Sequence, residues 1–444
     1  MSGYRAASTL SPAGDALDLE TALGATPQGL VDHPQLFSGF LARPDVAAAA
    51  ILAVADVAAT RYADFGLAKR LANLDPVVTA SGDRLRFESF SACNGVHARF
   101  DLLADGIDAG DAAFGTTNVD VNQPLRTALA GVGRASLLHL SVGPQELRVA
   151  LPDESFVERQ VELPDRWVRG FAETPLLAEA VAPVAELRGS AIAKFLGGMP
   201  KGGLPGPDLH LAPGPSGLVR RLDAASGGIF LAGSGRLRAA ARIARFATRL
   251  RVFAAAVGTS AWVFDLPGGR LSLLLSPGSY RGFSGEGSLL TLIAAPEAER
   301  VGRRIGAHLA WTPVIDQARL GDRLGLSAEE VARGVAWLAA SGRVGFDIAD
   351  GAWFHRELPI DAEAVLRRNP RLAAAHRLVQ AGRLKQSDEQ WIVEGDTRRY
   401  RISARDGRWV CGCTWEHEHA GTRGPCKHAL AVLLAEGSIA PPPE

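Results

Sequence analysis

The sequence predicts an α+β protein with several domains and a small C-terminal module folded around a metal ion. Three observations lead to this prediction. The chain has 444 residues, more than one core of ordinary size can organise, and this length suggests about three domains. Strand-like and helix-like segments follow one another along it, which is typical of α+β proteins. Three of its four cysteines lie within sixteen residues near the C-terminus, a spacing that suits a metal site better than a disulfide framework.

Residues 1–190 form the first predicted unit, an α+β domain of unknown function. The Ala-rich segment from Ala47 to Arg61 predicts a helix, and LRFESFSA and ARFDLLA alternate like half-buried strands. LLHLSVG, ELRVALP and FVERQVELP predict further short strands separated by Gly, Pro and Asp turns. The remaining cysteine, Cys93, is interpreted as a buried apolar residue, because no catalytic Cys-His pattern surrounds it and His97 fits a core or surface position.

Residues 191–217 are predicted to be a linker or a long surface loop. Gly or Pro occupies 12 of the 22 positions from Leu196 to Gly217, too many for a helix or a central strand. Residues 218–300 then predict a small α+β unit. It contains a strand in GGIFLAG, a helix from Gly235 to about Phe253, and two strands in SAWVFDLP and RLSLLLSP.

A cationic stripe is predicted on the helix of this unit. Its members recur at helical spacing and are Arg238, Arg242, Arg245 and Arg249. The stripe is either a face that contacts phosphates or a solvated face whose arginine stems cover apolar surface. The second interpretation is favoured, because every amphipathic helix needs a polar face.

Residues 301–360 resemble a winged helix-turn-helix. From Trp311 the pattern predicts two short helices, a third helix that begins with a capping box of Ser327 and Glu330, and a strand pair. The strand pair is RVGFDIADGAWFHREL, with an Asp-Gly turn typical of a β-hairpin. The predicted inner face of the third helix is formed by Val331, Val335 and Leu338.

The charges of this third helix do not favour DNA recognition. A recognition helix presents side chains that reach phosphates or base edges. Here the helix opens with Glu329 and Glu330, and Arg333 is its only basic residue. Because the two carboxylates would repel the phosphate backbone, a structural or protein-binding role is favoured for the winged-helix-like segment.

The metal site is predicted within residues 375–440, with one structural Zn²⁺ held by Cys411, Cys413, Cys426 and His428. Alternate residues of a strand face the same way, so the two cysteines of RWVCGC lie ~6.7 Å apart on one side. Zinc–sulfur bonds of ~2.3 Å let both thiolates reach one ion. The other pair follows Gly424 in an entering turn and the first turn of the helix ALAVLL. Four protein donors fill a tetrahedron, which is typical of a structural site.

Two other histidines are rival ligands. His417 and His419 alternate in TWEHEHAG, which is predicted to be an irregular polar loop. Four better-placed donors already complete the tetrahedron, so either histidine is expected at most to hydrogen-bond to a ligand.

The arrangement of CxC, twelve residues and CxH, followed by ALAVLLA, resembles the SWIM-type zinc finger from about Trp391 to Glu436. The resemblance implies a strand–strand–helix zinc fold that binds DNA or proteins. The longer layout, with LFSGFL, TTNVDVN and RGFSGEG upstream, resembles a bacterial family of SWIM proteins. Genes of that family often lie near those of MoxR-type ATPases and von Willebrand A-type proteins, so the resemblance implies a protein partner of one of these kinds.

Charge is distributed unevenly, although the net charge is zero. Residues 1–190 hold 15 Lys and Arg against 24 Asp and Glu, so the remainder is basic. The segment beside the finger, residues 371–410, holds nine basic and five acidic side chains. Its arginines at Arg398, Arg399 and Arg401 are candidate contacts to nucleic acid or to an acidic partner.

The sequence predicts an interaction protein and no enzyme. GFSGEG fails the GxSxG nucleophile pattern at Glu286, and neither a Walker loop nor a Rossmann glycine pattern occurs. The longest apolar stretch, Ala47 to Ala59, contains Asp56 and is shorter than the ~20 residues of a membrane span. Without an apolar N-terminal signal, a cytoplasmic protein is expected. A protein-binding adaptor is the leading functional hypothesis, a nucleic-acid-binding protein is the alternative, and an enzyme without a recognisable motif is the third and least favoured one.

Overall fold

The computed structural model describes residues 4, 6–62, 75–143, 163–200, 203–215, 217–223, 227–256, 258–280, 282–284, 287–295, 297–360, 369–387, 390–396, 398–405, 407–420 and 423–436. The predicted strands ELRVALP and FVERQVELP fall almost entirely outside these residues. Within them, helices and strands are mixed and form several sheets. None of the described helices combines the length and the apolar character needed to cross a membrane.

The strands are named in chain order. They are β1 (Thr9–Leu10), β2 (Ala16–Leu19), β3 (Leu23–Thr26), β4 (Gly29–Asp32), β5 (Phe37–Leu41), β6 (Val77–Ser81), β7 (Leu85–Phe90), β8 (Val96–Leu102), β9 (Ile107–Ala112), β10 (Phe114–Asn118), β11 (His139–Val142), β12 (Ala182–Arg188), β13 (Leu209–Gly214), β14 (Gly217–Arg221), β15 (Ile229–Leu231), β16 (Arg249–Ala254), β17 (Ser260–Leu266), β18 (Gly269–Leu275), β19 (Val344–Asp347), β20 (Ala352–His355), β21 (Leu384–Ser387), β22 (Gln390–Glu394), β23 (Arg399–Arg405) and β24 (Arg408–Cys411).

The α-helices are named in the same way. They are α1 (Pro44–Ala59), α2 (Gln123–Leu129), α3 (Asp165–Glu179), α4 (Ser190–Gly197), α5 (Ser288–Ile293), α6 (Ala298–Gly306), α7 (Gln317–Leu324), α8 (Ala328–Ala340), α9 (Pro370–Gln380), α10 (Thr414–His419) and α11 (Lys427–Glu436).

A ten-stranded sheet organises the N-terminal core. Its order is β12-β16-β17-β18-β8-β7-β6-β10-β3-β4, and a five-stranded sheet of order β1-β2-β11-β5-β9 contributes to the same core. The Ala-rich helix α1 starts with a proline and is buried along most of its length against β7 and β8. This confirms the helix predicted from Ala47 and the strands predicted in LRFESFSA, ARFDLLA and LLHLSVG. Strands from residues 1–190 and from residues 218–300 pair within the large sheet, and the division into domains stays a prediction.

The Gly- and Pro-rich segment contains a strand that the sequence did not predict. β13 lies between β14 and β15 in a three-stranded sheet, so the expectation that Leu196 to Gly217 excludes a central strand is wrong. Pro213 and Gly214 lie at the end of β13, next to the turn that leads into β14, where their effect on pairing is small.

The helix predicted from Gly235 to Phe253 is also wrong. Residues Ser234–Ala240 form a 3₁₀ helix, and the chain then turns into strand β16. Arg236 explains the local fold, because its buried guanidinium donates hydrogen bonds to the carbonyls of Ala232, Gly95 and Ser276. In β16, Leu250 and Val252 are buried at strand spacing.

The segment after residue 297 folds as three helices and a hairpin. α6, α7 and α8 pack together, and β19 pairs with β20 in the predicted hairpin. The predicted capping box is confirmed, because Ser327 and Glu330 exchange both hydrogen bonds at the start of α8. Only α7 of the two short helices predicted after Trp311 is present, because the other, α6, ends before that residue.

An arginine cluster holds this hairpin on the ten-stranded sheet. Asp347 of β19 lies 2.9 Å from Arg99 and 3.4 Å from Arg86, and both arginines project from the sheet. Asp350 in the hairpin turn accepts hydrogen bonds from Arg84 and Arg270. Burial raises the pKa of the Asp347 carboxyl, but Arg99, Arg86 and Arg270 outweigh it and hold this pKa well below its usual range. These ion pairs therefore hold the hairpin against the sheet. Separating the two would leave buried charges unpaired, which costs several kcal/mol.

Candidate metal centre

The C-terminal module consists of a four-stranded sheet and two helices. The sheet order is β21-β22-β23-β24, and the strands predicted up to RWVCGC are present. The segment TWEHEHAG, predicted to be irregular, forms the short helix α10, with Cys413 at its N-cap position. The apolar helix predicted in ALAVLL is α11. Each ligand therefore lies at the end of a regular element, where the backbone direction is fixed.

The four predicted ligands converge on one point. One donor atom from each of Cys411, Cys413, Cys426 and His428 lies within 4.8 Å of the others, and all four residues are buried. His428 Nδ1 is 3.6 Å from Cys411 Sγ and 3.9 Å from Cys426 Sγ. A tetrahedron with zinc–sulfur bonds of ~2.3 Å and zinc–nitrogen bonds of ~2.0 Å has edges of about 3.5–3.8 Å. The donor set and its spacing therefore fit one zinc ion.

The surrounding backbone and rings orient these ligands. β24 ends at Cys411, so Cys413 approaches from a turn rather than from the next outward position of the strand as predicted. Cys426 precedes α11, and its sulfur accepts a hydrogen bond from the backbone N–H of Ala429. The His428 ring stacks on Tyr400 at 4.0 Å between centroids. This stacking fixes the ring plane with Nδ1 toward the sulfurs.

The thiols also influence one another. Hydrogen bonds among the three sulfurs hold the pKa of the Cys413 thiol well below its usual value and raise the pKa values of the Cys411 and Cys426 thiols. A metal requires the thiolate form of all three.

A residue that precedes the predicted finger strands, Arg371 of α9, holds the loop that leads to Cys426. Its guanidinium donates hydrogen bonds to the carbonyls of Pro425 at 2.7 Å and Arg423 at 3.1 Å. It also lies 4.0 Å above the Trp415 ring, and Trp415 Nε1 donates to the Gly424 carbonyl. Sequence reasoning missed this contact, because a single arginine on a helix carries no signal of a partner some fifty residues away.

The rival histidines lie on α10. Among the described residues, the cluster able to hold a metal contains neither His417 nor His419. The His419 ring packs edge-on against Trp415 at 4.3 Å, and His417 is exposed.

The four arginines of the predicted stripe do not share a helix face. Arg242 pairs with Asp56, and Arg249 pairs with Asp265. Arg238 donates to the Pro200 carbonyl, and Arg245 lies over the Phe246 ring. The stripe is wrong as a geometric prediction, because Arg238 is in the 3₁₀ helix and Arg249 begins β16.

The basic residues beside the finger form a surface that we name the cationic face. Arg399 and Arg401 alternate along β23 on the side of the sheet opposite the buried Ile402. The pairing register places on the same side Lys385, Arg405 and Arg408. Among the described residues on this side of the sheet, Glu394 is the one carboxylate, and it lies near Lys385 and Arg399. Arg408 pairs with Glu416 of α10 at 2.6 Å. Arg398 instead lies over the Tyr400 ring at 5.0 Å.

Comparisons with known proteins agree with this geometry. Residues 397–437 match the family model of the SWIM zinc finger. No curated protein sequence matches the chain. The solved structure of proliferating cellular nuclear antigen from Entamoeba histolytica is similar at 10% identity and a TM-score of 0.34, over 55% of this chain and 99% of that one, which is too low to indicate function. Residues 397–437 are thus a SWIM zinc finger, and Cys411, Cys413, Cys426 and His428 are its zinc ligands.

Proposed function

We propose that the protein is an adaptor that binds another protein, and that its zinc is structural. The observation that carries this proposal is a groove of about 490 Å³, named here the apolar groove, between the end of α3, the edge of the large sheet and the hairpin. Its volume lies in the range of sites that accept a ligand or a side-chain anchor. Four protein donors fill the zinc tetrahedron, so we propose no catalytic role for the ion.

The lining of the apolar groove suits an apolar anchor from a partner. Its apolar lining includes Val181, Pro183, Phe253, Ile315, Phe346, Ile348 and Trp353. Glu179 is the only carboxylate among the described residues that line it, and it accepts hydrogen bonds from Trp353 and Gln317. Val314 precedes the lining residue Ile315 in the chain and is 51% exposed, so it adds apolar surface next to this residue. Protein interfaces commonly have such an apolar centre with a polar rim.

We interpret residues 301–360 as a winged helix with a structural role. The apolar side of α8 packs against α5 and α6, and Arg333 pairs with Glu297 and Glu329. The hairpin, which would be the wing, is held against the ten-stranded sheet by the arginine cluster. A DNA-reading winged helix keeps its third helix and wing accessible to the duplex, so this packing supports the adaptor instead.

The test is recovery of partners from native cells with the full chain as bait. Ile348→Asp places a carboxylate in the apolar groove and is expected to abolish recovery of the partner. The matched control is Val219→Asp, which changes a 41% exposed valine on β14 away from the groove. From the resemblance, we expect the recovered partner to be a MoxR-type ATPase or a von Willebrand A-type protein. Equal recovery by the wild type and Ile348→Asp would contradict the assignment of this groove.

Nucleic-acid binding is the second candidate, and the cationic face favours it. Arg401 and Arg405 are exposed, and within the described part of the chain neither makes an ion pair. Phosphate contacts release counterions, so the logarithm of affinity would fall with the logarithm of salt at a slope near −0.9 per phosphate on duplex DNA.

Titration of labelled duplex and single-stranded DNA over ~50 to 200 mM salt separates the two functions. Arg398, Arg399 and Arg401 changed together to Ala form the test variant, and Arg188→Ala is the control at an arginine 70% exposed on β12. Weak binding or none is expected for an adaptor. Micromolar binding with a steep salt slope that the triple variant weakens would make nucleic-acid binding the primary function.

A further inference from the structure

A second groove, named here the basic groove, lies between α9 and the zinc finger. Its volume is about 470 Å³. Three cations from separate segments line it, and they are Arg377 of α9, Arg383 before β21 and Lys427 at the start of α11. Among the lining residues that the structure describes, Asp396 is the only carboxylate. These described residues therefore carry an excess of two positive charges.

Asp396 brings two of these cations together. It accepts a hydrogen bond from Arg383 Nη1 at 2.9 Å and lies 3.6 Å from Lys427 Nζ. Arg377 is exposed, and no ion pair to it exists within the described residues. Two cations are thus held in place, and the third is available to a ligand.

The helix that begins at Lys427 adds a second source of positive potential. α11 has ten residues, and its dipole places a partial positive charge at the end where Lys427 lies. The N–H groups of Ala429 and Leu430 in its first turn already donate to the sulfur and the carbonyl of Cys426. The dipole therefore adds to the positive potential of the three side chains, which are the groups that a ligand would contact.

From this arrangement we infer that the basic groove binds a phosphorylated side chain, phosphoserine or phosphothreonine, of a partner protein. The inference rests on the proposed adaptor function. A phosphoryl group carries about −1.5 to −2 charges and three strong acceptors, which match clustered cations. The described lining residues include no aromatic ring on which a base would stack, and this disfavours a nucleotide.

The test uses the full zinc-loaded chain and four probes: acetyl-Ala-phosphoserine-Ala-amide, the same peptide without phosphate, AMP and inorganic phosphate. Binding is followed by NMR line broadening of each probe. The phosphopeptide is expected to bind, its unphosphorylated form not to bind, and AMP to bind no more tightly than inorganic phosphate. AMP binding more tightly than the phosphopeptide would overturn the inference in favour of a nucleotide.

Variants locate the binding. Arg377→Gln removes an exposed cation of the groove and is expected to weaken phosphopeptide binding by roughly tenfold, the effect of one charge-assisted hydrogen bond. Arg405→Gln, an exposed arginine of the cationic face, is expected to leave binding unchanged, and both variants should keep one zinc ion. Equal weakening in the two variants, or no phosphopeptide binding by the wild type, defeats the inference. If partner recovery through the apolar groove then persists, the adaptor function stands without it.

Discussion

Arg371 gives the sharpest test of how the zinc site is built. The change Arg371→Met keeps much of the side-chain volume and removes the charge. It leaves the carbonyls of Arg423 and Pro425 without their donor and removes the cation above Trp415. Hydrogen bonds to a charged group contribute about 1.5–3 kcal/mol and a cation–π contact about 0.5–2 kcal/mol. Because these contributions overlap, we expect a loss of ~2–4 kcal/mol.

This loss should appear as weaker zinc binding. Without Arg371, the loop before Cys426 must be ordered when Cys426 binds the ion, and this ordering costs free energy. A loss of ~2–4 kcal/mol corresponds to roughly 30- to 1000-fold in zinc affinity, measured by competition with a chelator. The visible spectrum of the Co²⁺-substituted protein reports whether the coordination stays tetrahedral. Arg371→Lys should recover part of the affinity. The control is Arg377→Met, on the same helix but exposed. If Arg371→Met binds zinc as tightly as the wild type, the loop is held by other contacts and our account is wrong.

Three further predictions concern the zinc ligands, a glycine beside them and one carboxyl group. Elemental analysis should find one zinc ion in the wild type and in His417→Ala, and none in Cys426→Ser. A full equivalent of zinc in Cys426→Ser would contradict the assignment of this ligand. Gly424→Ala should destabilise the finger by more than ~1 kcal/mol, because Gly424 has a φ of +72° and an added Cβ would lie 2.7 Å from the Gly287 carbonyl. The control is Gly407→Ala, because Gly407 has a φ of +70° and no atom within 4 Å of an added Cβ, so this variant measures the conformational cost of a positive φ alone. Equal midpoints of chemical denaturation in the two variants would exclude a contribution from the contact with Gly287. Burial and the Asp120 carboxylate raise the pKa of Asp75 to about 6. The protonated Asp75 carboxyl therefore contributes its full stability below pH ~4, and this contribution, roughly 2–3 kcal/mol, is lost as pH rises through 6. Asp75→Asn should flatten the dependence of the free energy of unfolding on pH in this range. An unchanged slope in the variant would refute the pKa shift.

The metal ligands could be predicted because their chemistry is local in sequence. Two short motifs supply all four donors, and few other roles fit three clustered cysteines and a histidine. Helix α1 and the capping box of α8 were predicted for the same reason, since each depends on a few neighbouring residues. The contact from Arg371 could not be predicted, because its partners are carbonyl groups that any residue provides.

The wrong helix shows how tertiary contacts override a local pattern. Arginines at helical spacing suggested one amphipathic helix. The actual fold is decided by Arg236, whose guanidinium reaches the carbonyls of Ser276 just after β18 and of Gly95 just before β8. The pairing of β16 with β12 and β17 also contributes. Neither partner is visible in the local sequence. The same limit applies to β7, whose alternating sequence predicts one solvated face. In the structure both faces of β7 are buried, because the hairpin covers its charged face.

The zinc finger and the three-helix segment share one apolar core, and this sharing determines what zinc stabilises. The cluster that contains Cys411, Cys413 and Cys426 also contains residues of α5, α6, α7 and α8. A separate cluster contains α1 and most of the ten-stranded sheet. Zinc binding contributes folding free energy of about 10 kcal/mol in small fingers. Here that energy must act on the whole helical segment as well as on residues 397–437, because α11 packs on α9 and α5. The helical segment in turn carries the hairpin that walls the apolar groove. Through this chain of contacts, the zinc ion helps to fix the shape of the proposed binding surface.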